Sequence, residues 1–194
     1  MPTLAALAAG GHISEAGADL LSEAVGTGLT ILVSGGTGAG KTTLLNLLSR
    51  EIPAGERIVT IEDAAELRLS GDVIRLEARS ANREGIGAIT IRDLIRAALR
   101  LRPDRIVVGE VRGHEAYDLV GALNTGHDGS MSTVHANSPE EALVRLEMLA
   151  LGAAEGVDTH AVRTQLRRAI DLIVQLGRVG GRRTVRSIAA VTPD

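Results

Sequence analysis

Residues 35–42 read Gly35-Gly36-Thr37-Gly38-Ala39-Gly40-Lys41-Thr42, a G-x-x-x-x-G-K-T run that few folds can hold. The glycines let backbone N–H groups turn inward around phosphate oxygens, and the run needs a strand before it and a helix after it. Both flanks are present: Leu29–Val33 is an apolar run of buried-strand length, and Lys41 to about Ser49 reads as a helix. The helix N-terminus adds its positive dipole end. Lys41 is placed to reach the β- and γ-phosphates of a nucleotide, and Thr42 to put its hydroxyl on Mg²⁺. A chance Gly-rich turn is the competing explanation, and the flanks argue against it.

Of the 21 basic residues, 20 are Arg and only Lys41 is Lys. A chain that uses Arg everywhere else keeps an ammonium inside the glycine loop, where a compact point charge fits and a wide planar fork collides with backbone. The single Lys therefore locates the site independently of the motif.

The other elements alternate. Ser14–Val25 reads as a helix with Ser14 as N-cap. Strands are expected at Arg57–Ile61, Val73–Leu76, Arg105–Val108 and Ser130–Val134. Helices are expected at Thr90–Leu101 (stopped by Pro103), Glu115–Leu123, Ser138–Leu151 and Thr159–Ala169, with a loop over 152–156. The tail reads as two strands joined by a turn at Gly180-Gly181, adding an antiparallel edge. This order predicts one α/β domain with a mostly parallel central sheet covered by helices. With one Tyr, no Phe and no Trp, the core has to be built from Leu, Ile, Val and Ala. The absence of Cys excludes disulfides and Cys-ligated metals. A net charge of −3 gives no field for nucleic acid, and none is expected as a partner. No apolar run approaches the roughly 20 residues of a membrane span, and the start MPTLAALAAGGH lacks the basic region of a secretory signal. Cytoplasm, without membrane insertion, is the expectation.

Further groups gather where strands end, and in α/β sheets the C-terminal strand ends line the ligand crevice. Glu62 and Asp63 close the strand RIVTI, with Glu66 just beyond. Glu110 comes directly after RIVVG, in the position of the carboxylate that binds the metal shell or activates water in P-loop NTPases. Gly109 stands where many such proteins carry a metal-binding Asp, so Glu110 has to act with Glu62 or Asp63. His127 and His135 bracket the strand MSTV. His135 is placed to bond the γ-phosphate, and His127 to serve that region or only fix its loop. His12, His114 and His160 read as ordinary surface or core residues. Arg92, Arg96 and Arg100 recur every four residues on one helix face, a like-charged stripe better suited to phosphates or a neighbouring subunit's acids than to solvent.

The ordered segments LVSGGTGAGKTTLLNLLS, IVTIEDAAELRL, IRDLIRAALRLRPDRIVVGEVRGHEA and NTGHDGSMSTVHANSPEEALVRLE resemble the Walker A, Asp box, Walker B and His box of the type II/type IV secretion ATPase superfamily. The likeness covers nearly the whole chain and is nearest to the tight-adherence (Tad) pilus-assembly branch. It implies a RecA-like P-loop NTPase fold and an ATP- and Mg²⁺-using motor that assembles as a homo-hexamer. It also implies docking on an inner-membrane platform protein at the cytoplasmic face of the bacterial inner membrane. By position it implies nucleotide binding by Gly35 to Thr43 (Gly35, Gly36, Thr37, Gly38, Ala39, Gly40, Lys41, Thr42, Thr43), helped by Asp63 and His127. Glu62, Glu110 and His135 become the catalytic set, Thr42 and Glu110 the metal-side groups, and Arg96 and Arg100 contacts in trans. Residues 1–28 match the end of a linker and a leading helix, and 29–194 the rest of the family's C-terminal domain. The family's N-terminal domain has no counterpart here, which leaves a nucleotide-binding scaffold with little turnover as the rival to an active motor. A transport ATPase would need an LSGGQ-type segment that Leu69-Ser70-Gly71-Asp72 only imitates, and a DNA translocase would need stacking aromatics.

The lone ammonium makes a direct prediction. Lys41→Ala should abolish ATP turnover and weaken nucleotide binding, and Lys41→Arg should do nearly as badly because the fork does not fit the loop. Near-normal hydrolysis by the Arg variant in a steady-state phosphate-release assay would refute the steric argument.

Overall fold

A computed structural model describes residues 3–153 and 156–193. The helices are α1 (Leu4–Ala9), α2 (Glu15–Gly26), α3 (Lys41–Leu48), α4 (Ile91–Ala98), α5 (Glu115–Leu123), α6 (Pro139–Leu151) and α7 (Thr159–Ala169). The strands are β1 (Ile31–Ser34), β2 (Arg57–Glu62), β3 (Asp72–Glu77), β4 (Arg105–Val111), β5 (Met131–Val134), β6 (Leu172–Val179) and β7 (Arg182–Ala190). They form a seven-stranded sheet in the order β3-β2-β4-β5-β1-β6-β7. Every pairing is parallel except β6 with β7. The expected mostly parallel α/β architecture is therefore present. Of the two tail strands only β7 runs antiparallel, because β6 pairs in parallel with β1.

Strand alternation divides the core into two layers. Val59, Ile61, Ile106 and Val108 pack with α4, α5, α6 and α7 on one face, while Ile31, Val33, Ile58 and Val107 pack with α1, α2 and α3 on the other. Both layers are aliphatic, as a chain nearly free of aromatics requires. The lone Tyr117 is 37% exposed.

Local chemistry sets most boundaries. Ser14 accepts from Gly17 N and Ser138 from Glu141 N, capping α2 and α6. Thr90 and Asp93 form a reciprocal capping box on α4. That helix ends at Ala98, five residues before Pro103, and Arg102 takes a left-handed φ of 51° ahead of the proline. A residue before proline is disfavoured in the helical region, so the boundary forms upstream of Pro103. The β6–β7 connection has positive φ at both Gly180 (56°) and Gly181 (82°), the geometry of a two-residue type I′ turn. The leading region holds a short helix, α1, capped by Thr3, that the sequence reading did not anticipate. Of the expected 152–156 loop, residues 154–155 lie outside the described residues.

Arg105 opens β4 with its side chain 3% exposed. Its guanidinium forks onto Glu56 and donates through Nη1 to the carbonyls of Val25 (2.7 Å) and Gly129 (3.3 Å). One residue thus ties the end of α2, the start of β4 and the turn into β5. Arg105→Ala strands a carboxylate and two carbonyls. The expected loss is about 3 kcal/mol, the low end for a broken buried pair because Glu56 still reaches water. Arg105→Lys should recover little, since one ammonium cannot serve all three partners. Urea unfolding of both variants gives the measurement.

Candidate active site

The glycine loop runs from the C-terminal end of β1 into α3. Gly38 (φ 67°) and Gly40 (φ 100°) both lie in the left-handed region, which non-glycine residues avoid. A Cβ on Gly35 would press Ala39 Cβ and Leu176 Cβ at 3.1 Å, whereas a Cβ on Gly36 would meet open space. The first glycine therefore serves loop packing, and the second leaves room for a bound group. Gly40 caps α3 without a side-chain bond, leaving the first-turn N–H groups free of a side-chain acceptor. A backbone cradle, a helix N-terminus and an adjacent ammonium make a donor set that fits a nucleotide's phosphates.

Lys41 is 8% exposed. Its ammonium folds back on the loop, donating to Gly35 O at 3.0 Å and Gly36 O at 3.5 Å. It also lies 3.3 and 3.4 Å from the two ring nitrogens of His135. Burial pushes its pKa down, the Glu110 carboxylate opposes that shift, and Arg112 adds to it. His135 is the hub. Its Nδ1 donates to Glu110 Oε1 at 2.5 Å, since a carboxylate only accepts, and Nε2 lies 3.0 Å from the Thr37 hydroxyl. Glu110 Oε2 accepts from Arg112 Nη2 at 2.5 Å. Burial opposes ionisation of Glu110, but the bonds from Arg112 and His135 and the charge of Lys41 prevail, holding its pKa below the ordinary glutamate value.

A fault in the β4–β5 ladder aims Glu110. The pairing runs Val107↔Met131 and Val108↔Ser132, then resumes at Val111↔Val134, so β4 carries one extra residue across Gly109–Glu110. Strict alternation would send Val111 to the same face as Val107, yet Val111 packs with Ile106 and Val108. The bulge re-phases the strand and turns Glu110 toward His135. Thr133 holds the kink by donating to Gly109 O at 2.7 Å.

Glu62 is 6% exposed, and its Oε1 accepts from Glu66 N (3.0 Å) and Leu67 N (2.9 Å), which anchors the segment after β2. It also explains Gly109, because a Cβ there would sit 3.1 Å from Glu62 Cγ. Asp63 is more than half exposed and touches Arg112 only at 3.8 Å.

The structure gathers Thr37, Lys41, Glu110 and His135 into one bonded cluster, with Glu62 packed against its edge. It does not bring in His127, whose Nδ1 donates to Ala122 O at 2.9 Å ahead of β5, at the end of the parallel sheet opposite the loop. Arg96 bonds Asp118 at 2.8 Å, sharing that carboxylate with Arg92, and Arg100 lies in the turn after α4. Neither Arg96 nor Arg100 bonds the cluster within this chain. Sequence reading passed over Arg112, which stands two residues after Glu110 in a basic-acidic context that could have flagged it. It also missed Arg178, whose Nη2 reaches Gly38 O at 3.4 Å, and Arg183, whose Cδ lies 3.5 Å from a Cβ built on Gly40.

Gly109→Ala should force Glu62 aside and cost about 1–3 kcal/mol, the usual range for overpacking. Urea unfolding reads the loss, and a variant as stable as the parent would show that Glu62 has room to spare.

Comparison with known proteins agrees with this geometry. Residues 3–189 match the family described as type II/IV secretion system protein. A Mycobacterium tuberculosis protein named for conjugal transfer is 52% identical over 190 residues, covering 97% of this chain and 53% of that protein. The type IV secretion system protein PtlH of Bordetella pertussis is 40% identical, covering 89% of this chain and 52% of its own length. The crystal structure of the VirB11 ATPase from the Brucella suis type IV secretion system superposes with a TM-score of 0.81 at 32% identity, covering 96% of this chain and 54% of that one. The chain spans about half the length of the curated relatives it matches. A family match over nearly the whole chain, carried on this loop and this sheet, makes the chain a member of the type II/IV secretion system protein family.

Proposed function

We propose that this chain hydrolyses ATP, with Mg²⁺, as the motor half of a type IV secretion or conjugal-transfer machine. The observation that carries the reading is the joining of Lys41, His135 and Glu110 into one hydrogen-bonded cluster beside a glycine loop. Names borne by the relatives favour secretion and conjugation. Assembly of a tight-adherence pilus is the second biological setting, resting on the motif resemblance alone. A ring of six copies docked on an inner-membrane platform protein completes the proposal. Among the described residues no helix is long and apolar enough to cross a membrane, which accords with a peripheral position.

The residues present fit the nucleotide and its metal. Bound ATP would supply the phosphoanhydride bond, and Mg²⁺ would neutralise its developing charge. The loop amides from Gly36 to Thr42 bind phosphate oxygens. Lys41 exchanges the carbonyls of Gly35 and Gly36 for those oxygens, and Thr42 presents its hydroxyl on the metal side. Glu110 orients the attacking water and accepts its proton. His135 fixes the carboxylate through Nδ1 and keeps its other edge on Thr37, so a change at the loop is transmitted to Glu110. Glu62 supports the bulge from behind. Arg100 is better placed than Arg96 to reach a neighbouring subunit's nucleotide, because Arg96 is already held by Asp118.

One observation favours the scaffold reading: Glu110 already accepts from Arg112 through one oxygen and from His135 through the other, and these bonds lower its basicity toward a water proton. Steady-state turnover separates the two. Glu110→Gln should leave ATP binding near that of the parent and slow turnover by about 10²- to 10⁴-fold, the range for a lost general base. A parent chain that binds ATP but turns over no faster than Glu110→Gln would make it a scaffold.

A further inference from the structure

Both ladders of β1 end at Ser34, which pairs with Val134 of β5 on one side and with Gln175 of β6 on the other. Beyond that rung β1 leaves the sheet as the glycine loop. Two carbonyls follow the last rungs on its neighbours. Ala136 O comes one residue after His135, and Leu176 O lies 3.2 Å from the position a Cβ would take on Gly35. One side chain serves both. Gln175 is 6% exposed, and its Nε2 donates to Ala136 O at 3.3 Å and to Leu176 O at 3.1 Å. Because β1 lies between β5 and β6, the bond to Ala136 passes across the end of β1. We propose that Gln175 is a positioning residue for the cluster: by holding Ala136 it fixes His135 against the glycine loop, and with it the ring that joins Thr37, Lys41 and Glu110.

Stability alone does not account for an amide at this place. Gln175 Oε1 and the hydroxyl of the adjacent, fully buried Ser34 have no hydrogen-bond partner among the described residues. A buried polar atom left unpaired is destabilising, and a Leu or Met side chain would occupy the position without that penalty. An apolar side chain cannot, however, donate twice from one nitrogen. Only the NH₂ edge of the amide can face two carbonyls, because its oxygen edge would repel both. The chain keeps a half-satisfied amide where its nitrogen links the segment after β5 to the carbonyl packed against the first loop glycine.

The path from Gln175 to the site is short. His135 directly precedes Ala136, and its ring nitrogens reach Glu110 Oε1 at 2.5 Å and the Thr37 hydroxyl at 3.0 Å. Hydrogen bonds this short depend closely on distance and angle, so a small shift of the Ala136 backbone loosens both. The side chain of Gln175 bonds neither Lys41 nor the loop amides, which leaves phosphate binding outside its reach.

The inference rests on the proposed hydrolysis only for its effect on rate, and an NMR readout tests it without turnover. Ring-nitrogen spectra of the five histidines, with the His135 signals identified by their loss in His135→Gln, report where the ring sits. Gln175→Met removes the donor at similar volume. Gln175→Asn keeps the amide on a stem too short to reach Ala136 O, and it covers the case in which the Met variant does not fold. Either variant should move the His135 signals and leave those of His127 and His160 at the parent positions. Turnover should fall about tenfold to a hundredfold, as for a slightly misplaced catalytic group, while the Kd for Mg-ATP stays within about twofold. Ser34→Ala disturbs the same buried spot without touching the amide nitrogen, and its His135 signals should match the parent's. Unmoved His135 signals in the folded Gln175 variants overturn the proposal. So does an equal displacement in Ser34→Ala, which would make the effect one of packing beneath the loop. A matching loss of ATP affinity also overturns it, placing Gln175 on the loop rather than on His135. A parent chain without turnover removes the proposed hydrolysis, and the ring-nitrogen spectra then decide the role of Gln175 alone.

Discussion

Parallel pairing of β1 with β5 on one side and β6 on the other is the constraint on which the site depends. Strands that run the same way deliver their C-terminal ends to one edge of the sheet. The glycine loop after β1, His135 after β5 and Glu110 near the end of β4 are thereby brought together, although 94 residues separate Lys41 from His135. The same constraint removes His127 and the turn carrying Arg100. They stand where strands begin, and in a parallel sheet that is the far edge.

Within that edge, charge compensation fixes the details. A largely buried ammonium and a largely buried carboxylate are each costly in isolation, and each is tolerable here because the other is close and polar groups surround both. The Lys41 ammonium rests on loop carbonyls and the His135 ring, and Glu110 rests on His135 and Arg112. Each charged group of the cluster has hydrogen-bond partners from the chain itself. On the proposed reading, phosphate oxygens would replace the carbonyls that hold Lys41, and water would use an acceptor site that Glu110 has left over. Phosphate binding would then be an exchange of partners for Lys41.

Glycine serves two purposes around the site. In the loop, Gly38 and Gly40 adopt backbone angles that other residues avoid, while Gly36 leaves space open. At Gly109 the reason is a neighbour, since Glu62 packs where a side chain would stand. The position read from the sequence as a missing metal-binding Asp is thus the room that Glu62 needs to pack against the bulge.

The sequence by itself determined what depends on short-range chemistry. The glycine loop and its lone Lys, the caps at Ser14, Thr90 and Ser138, the two-glycine hairpin turn and the alternation of aliphatic strands with helices all involve partners within a few residues. Lys41 and Glu110, and His135 beside them, were legible because an apolar run marks a strand and the polar residues just past it mark the strand's end. Tertiary structure decided everything that depends on strand order and phase. The bulge that aims Glu110 is invisible in RIVVGEV, since only the partner strand shows the extra residue. The role of Glu62 depends on packing against Gly109, 47 positions away. Arg178 and Arg183 meet the loop only because β6 pairs with β1 and β7 turns back beside it. Local propensity cannot encode such contacts, which arise from burying both faces of one sheet, and burial is satisfied only by the assembled whole.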